Sequence, residues 1–161
     1  MIIRQARSDD AAAMLDIYRP NVEETAISFE LSVPTVEEFV ARIETIIATH
    51  EWLVADVDGE LAGYAYASPH RVREAYRYSV EVSIYVHPHY RGRGVGKALY
   101  SALFDSIREL GFHYAYAGIT LPNDLSIALH RACGFVEIGT FSEVGYKNDA
   151  WQNVSWWQRK I

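Results

Sequence analysis

A glycine-rich segment that leads directly into a helical pattern is the part of this sequence best suited to bind a ligand. Read along the chain, it consists of Arg91, Gly92, Arg93, Gly94, Val95, Gly96 and Lys97. Glycines allow the backbone to approach a ligand closely, and a helix N-terminus presents unpaired N–H groups and a partial positive charge. The segment therefore predicts a cradle for phosphate oxygens.

Two widespread phosphate-binding patterns do not fit this turn. A P-loop has glycine where this sequence has Arg91, and Ser or Thr where it has Ala98. A dinucleotide-binding fingerprint has glycine where this sequence has Lys97. The pattern that remains is a pyrophosphate cradle of the acetyl-CoA type.

A carboxylate lies on the strand-like segment that precedes the turn. Valine or isoleucine recurs at every second position from 80 to 86, which predicts a strand with one apolar face. Glu81 lies on the opposite face, where it can border a cleft. A carboxylate beside a bound thioester can act as a general base that takes a proton from an amine. From spacing alone, a solvated glutamate on an edge strand is an equal alternative.

The composition restricts the classes of function. The chain has 161 residues, half of them hydrophobic, which is enough for one domain over residues 1–161. Its formal net charge of −6 disfavours a nucleic-acid partner. A single cysteine, Cys133, excludes an internal disulfide and a cysteine-based metal site, as expected in a reducing cytosol. Because there is no signal-peptide pattern and no apolar run of membrane-spanning length, we expect a cytoplasmic protein without membrane contact.

The histidines do not suggest a metal site. Four of the six, His70, His87, His89 and His113, have neither a helix-spaced partner nor an acidic one. No metal is therefore expected.

Hydrophobic periodicity predicts the elements that position these residues. A helix follows the cap at Ser8 and is limited by Pro20, and another begins at Thr35, where Glu38 completes a capping box. Asp58-Gly59 predicts a hairpin. Strands are expected at 2–6, 52–56, 61–67, 79–86, 114–119, 140–146 and 153–159, with helices after Gly94 and Pro122. Because strands and helices alternate centrally between hairpins, we predict an α/β domain on a mixed sheet.

The turn and the strand before it resemble the acetyl-CoA motif of the GNAT superfamily of N-acetyltransferases. That motif is a strand followed by Arg/Gln-x-x-Gly-x-Gly/Ala at the start of a helix, and Arg91, Gly94 and Gly96 match it. A second segment, from Asn123 to His130, is similar to the superfamily's Asn-x-x-Ser/Ala-x-x-Leu-Tyr helix. The resemblance implies a GNAT fold with a mixed, mostly antiparallel central sheet flanked by helices, acetyl-CoA as the acetyl donor and no metal.

The expected donor-binding residues come from three segments. They are Ile84, Tyr85, Val86, Arg91, Gly92, Arg93, Gly94, Val95, Gly96, Lys97, Asn123 and Ser126. Within this set, we expect a backbone N–H of the 84–86 strand, exposed by a local bulge, to bind the oxyanion of the reaction.

Three further stretches narrow the resemblance to phosphinothricin acetyltransferases and their methionine-sulfoximine-acetylating relatives. They are residues 22–29, 75–81 and 145–147, so the likeness covers essentially the whole chain. It implies Glu81 as the catalytic base. It also implies His130 as the acid or proton relay for the CoA thiolate, where the superfamily motif has tyrosine. A partly buried structural histidine is the alternative for His130, and Tyr116 is a second candidate donor.

An arginine-rich loop before Glu81 points to the acceptor. Guanidinium groups bind carboxylate and phosphinate oxygens through paired hydrogen bonds. Arg71 and Arg73 are therefore expected to bind a small anionic amino acid, with Phe29 and Tyr76 as an apolar wall. A solvated surface loop is the alternative.

These observations predict an acetyl-CoA-dependent N-acetyltransferase. It would act on the α-amine of a small amino acid or analogue, such as phosphinothricin or methionine sulfoximine, by direct transfer in a ternary complex. An acetyltransferase for peptide or protein N-termini and a non-catalytic acetyl-CoA-binding module remain as alternatives. A homodimer is expected, because the aromatic C-terminal segment with Trp151, Trp156 and Trp157 is typical of a subunit contact and the family is commonly dimeric.

Overall fold

The computed structural model describes residues 1–161, and its seven strands form a single sheet in the order β1-β2-β3-β4-β5-β7-β6. All neighbouring strands are antiparallel except β4 and β5, which are parallel. The mixed, mostly antiparallel sheet is therefore confirmed. The strands are β1 Ile2–Gln5, β2 Trp52–Val57, β3 Glu60–Pro69, β4 Ser79–Val86, β5 Tyr114–Thr120, β6 Val136–Lys147 and β7 Ala150–Lys160.

Four helices cover the two faces of the sheet. They are α1 Ala11–Glu23, α2 Val36–Ile47, α3 Val95–Glu109 and α4 Asp124–Ala132. The larger core cluster joins α3 to the central strands, with Leu99, Leu103 and Ile107 fully buried. A second cluster joins α1 and α2 to β2 and β3 around Trp52 and Tyr64. Apolar side chains are thus buried on both faces of the sheet. The central strands β4 and β5 therefore lie in the middle of the molecule.

Local sequence signals explain most element boundaries. The capping box of α2 is confirmed, because Glu38 N donates to Thr35 Oγ1 at 3.1 Å and Thr35 N donates to Glu38 Oε2 at 2.8 Å. The expectation that Pro20 limits the first helix is wrong, since α1 continues to Glu23. Proline removes one helical donor, and the chain still completes the turn by a bond from Glu24 N to Pro20 O at 3.0 Å.

The C-terminal hairpin is longer than predicted and contains only part of the expected contact surface. Its turn uses Asn148 and Asp149, both with φ of 55°. Of the three tryptophans expected at a subunit contact, Trp157 is only 2% exposed and belongs to the core, whereas Trp151 is 61% exposed. Trp156 packs against the position of Gly118, where an added Cβ would lie 3.3 Å from its ring.

The parallel strands β4 and β5 separate after a short paired region. They pair from Ser79–Tyr114 to Glu81–Tyr116 and no further. The register between β3 and β4 is continuous from Pro69–Val80 to Gly63–Val86, so the expected bulge in β4 is absent. The opening is produced by divergence of the two strands rather than by an extra residue.

Candidate active site

A cleft of about 550 Å³ lies between the glycine-rich turn and α4, at the carboxyl end of β4. Eleven of the twelve residues predicted to bind the donor line it, and Arg93 is the exception. The Arg93 guanidinium lies instead over Tyr90, with its carbon 5.6 Å from the ring centroid. Further lining residues were not predicted: Asn21, Ile27, Tyr90, Leu125 and Leu129. Backbone amides, basic side chains and aliphatic groups together suit a ligand with an anionic head and an apolar arm.

The backbone geometry of the turn leaves a row of N–H groups free. Gly92 and Gly94 have φ angles of 72° and 83°, in the left-handed region that favours glycine. Helix α3 starts at Val95, and the bond from Ala98 N to Gly94 O measures 3.0 Å. The amides just before Ala98 have no intrahelical acceptor and lie at the positive end of the helix dipole. This arrangement can bind a diphosphate.

A narrow space adjoins the cleft where β4 and β5 have separated. It has a volume of about 60 Å³ and is bordered by residues 82–85, 118–120, Ile27, Tyr100, Asn123, Ser126 and His130. On the other side of β4, His87 N donates to Ala62 O of β3 at 2.9 Å. Because N–H groups alternate in direction along an antiparallel strand, those of Ile84 and Val86 point away from β3. Ile84 borders both this space and the adjoining cleft, and Val86 borders the cleft. Two backbone donors are thus available to a carbonyl oxygen.

His130 borders this space with both ring nitrogens engaged. Its Nδ1 is 2.7 Å from Ser126 O, and its Nε2 is 2.8 Å from the Tyr100 hydroxyl. A carbonyl oxygen can only accept, so Nδ1 carries the ring proton and Nε2 accepts from Tyr100. Burial lowers the pKa of His130, and the bond to Ser126 offsets part of that effect. The neutral ring suits a proton relay better than a donor of its own proton.

Glu81 lies where β4 and β5 part, within a polar and aromatic cluster. Its Oε1 is 2.9 Å from Nδ1 of His70, and its side chain is 37% exposed. The His70 ring stacks on Tyr116 at a centroid distance of 4.6 Å and meets Tyr76 edge-on at 5.7 Å. Arg71 Nε donates to His70 Nε2 at 3.3 Å. The expectation that His70 lacks an acidic partner is therefore wrong, because the loop after β3 folds back over Glu81.

The predicted acceptor residues are only partly brought together. The Arg71 guanidinium carbon lies 5.9 Å from the centroid of Tyr76, in the cluster around Glu81. The Arg73 side chain is exposed and pairs with no other side chain, while its backbone oxygen accepts from Tyr76 N at 3.0 Å. Phe29 is 41% exposed and packs on Gly145 of β6, where an added Cβ would overlap Cε2 of the ring and lie 2.6 Å from Cζ.

Lys147 holds the loop that carries Phe29, and the sequence analysis did not assign it this role. Its Nζ donates to Val22 O and to Ser28 O, at 2.7 Å in each case. Lys147 and Ser28 are 6% and 5% exposed. The loop after α1 is therefore fastened to the end of β6 by one buried ammonium group.

A second cavity, of about 320 Å³, lies between α2 and the neighbouring strands. Half of its lining residues are aromatic, including Phe39, Trp52, Tyr64 and Tyr66. It has no glycine-rich turn, and the residue that it takes from the first turn of α2 is the acidic Glu38, which would repel a phosphate group. We therefore assign donor binding to the cleft at the turn.

The structure contains neither a cluster of metal ligands nor a membrane-spanning helix. No three His, Cys, Asp or Glu side chains converge in the way that metal ligands do. None of the four helices has the length and apolar character that a bilayer crossing requires.

Comparison with known proteins shows similarity along the whole chain. The profile of the acetyltransferase (GNAT) family matches residues 12–135. The chain is 37% identical to a phosphinothricin N-acetyltransferase from Streptomyces coelicolor, over 99% of this chain and 95% of that protein. It is 34% identical to an L-methionine sulfoximine/L-methionine sulfone acetyltransferase from Salmonella typhimurium, over 100% of this chain and 95% of that protein.

A solved structure shows the same architecture with the donor bound. It is a GNAT superfamily phosphinothricin acetyltransferase from Sinorhizobium meliloti in complex with AcCoA. The two chains superpose with a TM-score of 0.94 at 39% identity, covering 99% of this chain and 88% of the other.

Proposed function

The chain belongs to the acetyltransferase (GNAT) family, and from this premise we propose that it transfers the acetyl group of acetyl-CoA to the α-amine of a small amino acid or analogue. One observation carries the proposal: the cleft at the glycine-rich turn adjoins the space between β4 and β5, and Glu81 lies where these strands part. Phosphinothricin and methionine sulfoximine are the leading acceptors, because relatives with those names align along nearly the whole chain.

The donor lies along the cleft in this proposal. Its diphosphate binds the free amides of the turn, with Arg91 and Lys97 beside it. Its pantetheine arm follows Asn123 and the aliphatic side chains of α4. The acetyl thioester then reaches the space between β4 and β5.

Glu81 prepares the acceptor for attack. An α-ammonium group is mostly protonated near neutral pH, so it loses one proton to Glu81, directly or through a water. The free amine attacks the thioester carbonyl carbon, and the N–H groups of Ile84 and Val86 bind the oxygen as its negative charge grows. Donor and acceptor are bound together, so the acetyl group passes without an acetyl-enzyme.

The departing thiolate requires a proton. When the C–S bond breaks, the nitrogen gives up a second proton, which balances the proton that the sulfur takes. We assign its transfer to the pair of His130 and Tyr100, which are joined at 2.8 Å beside the reacting space. The Tyr100 hydroxyl takes the proton from the nitrogen as it gives its own to the lone pair of His130 Nε2, and the reverse shift delivers a proton to the sulfur. Burial raises the pKa of Tyr100 well above its usual value, which disfavours a free phenolate during this exchange.

The acceptor is an anionic amino acid in this account. The Nε of Arg71 bonds to His70, which leaves the two outer nitrogens of the guanidinium free to pair with a carboxylate. Tyr76, which lies beside Arg71, provides apolar surface for the acceptor, and Phe29 does so from the loop after α1.

Release of free thiol from acetyl-CoA tests this function directly. Phosphinothricin, methionine sulfoximine, single amino acids and short peptides are compared as acceptors, with acetyl-CoA alone as the control. We expect release only with an acceptor, and faster release with a small anionic amino acid than with peptides. Faster release with peptides would favour the N-terminal alternative, and binding without any release would favour a non-catalytic module.

The direct route has its own check. The protein is incubated with labelled acetyl-CoA in the absence of acceptor and analysed by mass spectrometry. No acetylated protein should accumulate on a group within the cleft. A stable intermediate that passes its label to a later acceptor would contradict transfer in a ternary complex.

A further inference from the structure

The neighbours of His70 select one tautomer of its neutral ring. The Nε of an arginine always carries a hydrogen and never accepts, so His70 Nε2 must present a lone pair to Arg71 at 3.3 Å. In the neutral ring the hydrogen then lies on Nδ1, which faces Glu81 Oε1 at 2.9 Å. His70 therefore donates to Oε1 of the carboxylate. It does not contact the other oxygen, Oε2 of Glu81.

The orientation of the His70 ring is fixed as well. The ring stacks on Tyr116 with 22° between the planes and contacts the edge of Tyr76. Its side chain is 12% exposed, compared with 37% for Glu81. A ring held on both sides can direct a flexible glutamate, whereas a solvated glutamate samples several rotamers.

We propose that His70 is a positioning residue that binds one carboxylate oxygen of Glu81 and directs the other towards the amine of the acceptor. The inference rests on the proposed function, because it assigns to Glu81 the role of base. Through Arg71, the same contacts connect the group that would bind the acceptor's carboxylate to the group that would take its proton. His70 takes up no proton in this account, because its one lone pair, on Nε2, accepts the hydrogen bond from Arg71.

Four variants test the proposal with steady-state kinetics at saturating acceptor. His70→Asn places an amide N–H near the position of Nδ1, whereas the amide of His70→Gln reaches the position of Nε2. His70→Phe keeps an aromatic ring against Tyr116 but has no donor. Glu81→Gln is measured in parallel. Far-ultraviolet circular dichroism and the KM for acetyl-CoA serve as controls for folding and for the donor site.

The expected result separates donor geometry from packing. kcat falls on the order of 10- to 100-fold in His70→Phe and His70→Gln, as for a misdirected catalytic group. His70→Asn stays within about threefold of the wild type, and the KM for acetyl-CoA is unchanged in all variants.

Two results would overturn the inference, and they are distinguishable from failure of the proposed function. His70 would not position Glu81 if His70→Phe kept the wild-type kcat, or if His70→Asn and His70→Gln lost equal amounts of kcat. In either case an inactive Glu81→Gln would still support Glu81 as the base. Retained turnover in Glu81→Gln would remove the base itself, and the role of His70 with it.

Discussion

At the scale of single residues, the mechanism depends on the carboxylate of Glu81. Replacement by glutamine preserves shape but removes the basic oxygen, so we expect kcat to fall by about 10²- to 10⁴-fold. The dissociation constant for acetyl-CoA should not change, because the turn that binds the diphosphate is untouched. Isothermal titration and thiol release measure the two quantities.

A matched control comes from a glutamate far from the cleft. Glu109 is exposed at the last residue of α3, and Glu109→Gln should retain wild-type turnover. If Glu81→Gln loses less than fivefold in kcat, Glu81 is not the base.

His130 provides a prediction about pH. The pKa of His130 is lowered in the folded protein from its usual value of 6.5. When the pH falls below 6.5, the unfolded chain therefore binds a proton at His130 more readily than the folded protein does. The free energy of unfolding should therefore decrease as the pH falls below 6.5. In His130→Gln this decrease should be smaller. Urea titrations between pH 4.5 and 7.5 compare the two slopes, and equal slopes would contradict a buried neutral His130.

The site residues that sequence could predict are those with a local pattern. Neighbouring residues alone predict the phosphate-binding turn around Gly94. They also predict the strand that carries Glu81, from its alternating apolar residues. His70 and Tyr100 could not be assigned, because their partners lie 11 and 30 residues away in the chain. Tyr100 also shares the apolar face of α3, where an aromatic residue indicates core packing.

At the scale of elements, Lys147 fastens the loop after α1 to the end of β6. Lys147→Met would leave two buried carbonyl oxygens without a donor, at a cost of about 1–3 kcal/mol in unfolding free energy. Freed from this contact, the loop with Phe29 should bind acceptor more weakly, so its KM should rise several-fold while the KM for acetyl-CoA stays constant. Lys147→Arg retains a cation and serves as the control. Unchanged stability and acceptor KM in Lys147→Met would contradict this assignment.

Gly145 sets the position of Phe29 on the same loop. A methyl group in Gly145→Ala would overlap Cε2 of the ring and lie 2.6 Å from Cζ, so the ring must move. We expect a loss of about 1–3 kcal/mol in stability. Phe29→Ala removes the ring that the new methyl group would meet. Adding Gly145→Ala to Phe29→Ala should therefore cost much less stability than adding it to the wild type. A double-mutant cycle of unfolding free energies measures the coupling. Strictly additive effects would show that the two residues do not meet.

Element types were largely predictable, and the errors have physical causes. The capping box at Thr35 and the hairpin turn at Asp58 depend on local chemistry and are confirmed. Pro20 does not end α1 as expected, because packing of α1 against the sheet outweighs the loss of one helical hydrogen bond. The parting of β4 and β5 depends on tertiary contacts, and no residue pattern in either strand predicts it.

At the scale of the whole molecule, the outer strand of the sheet offers a surface for a second copy. β6 is an edge strand of 12 residues, and long apolar edges tend to pair. The exposed apolar side chains of β6, together with one at the start of β7, are Val136, Ile138, Phe141, Val144, Tyr146 and Trp151, each at least 50% exposed. We therefore propose that the protein forms a homodimer through this hairpin.

Light scattering at micromolar concentration tests the dimer. The wild type should have about twice the mass of the 18.3 kDa chain. Trp151→Asp places a charge on the exposed hairpin and should shift the protein to the single-chain mass with its circular dichroism unchanged. A wild-type mass of 18.3 kDa throughout would contradict the dimer.

A crystal structure with acetyl-CoA bound is the most direct test of the account. We expect the diphosphate on the amides between Gly92 and Lys97, and the acetyl carbonyl between β4 and β5 near the N–H groups of Ile84 and Val86. Oε2 of Glu81 should face the side from which an amine can approach the carbonyl carbon. A diphosphate bound elsewhere, or an acetyl group remote from the parting of the two strands, would contradict it.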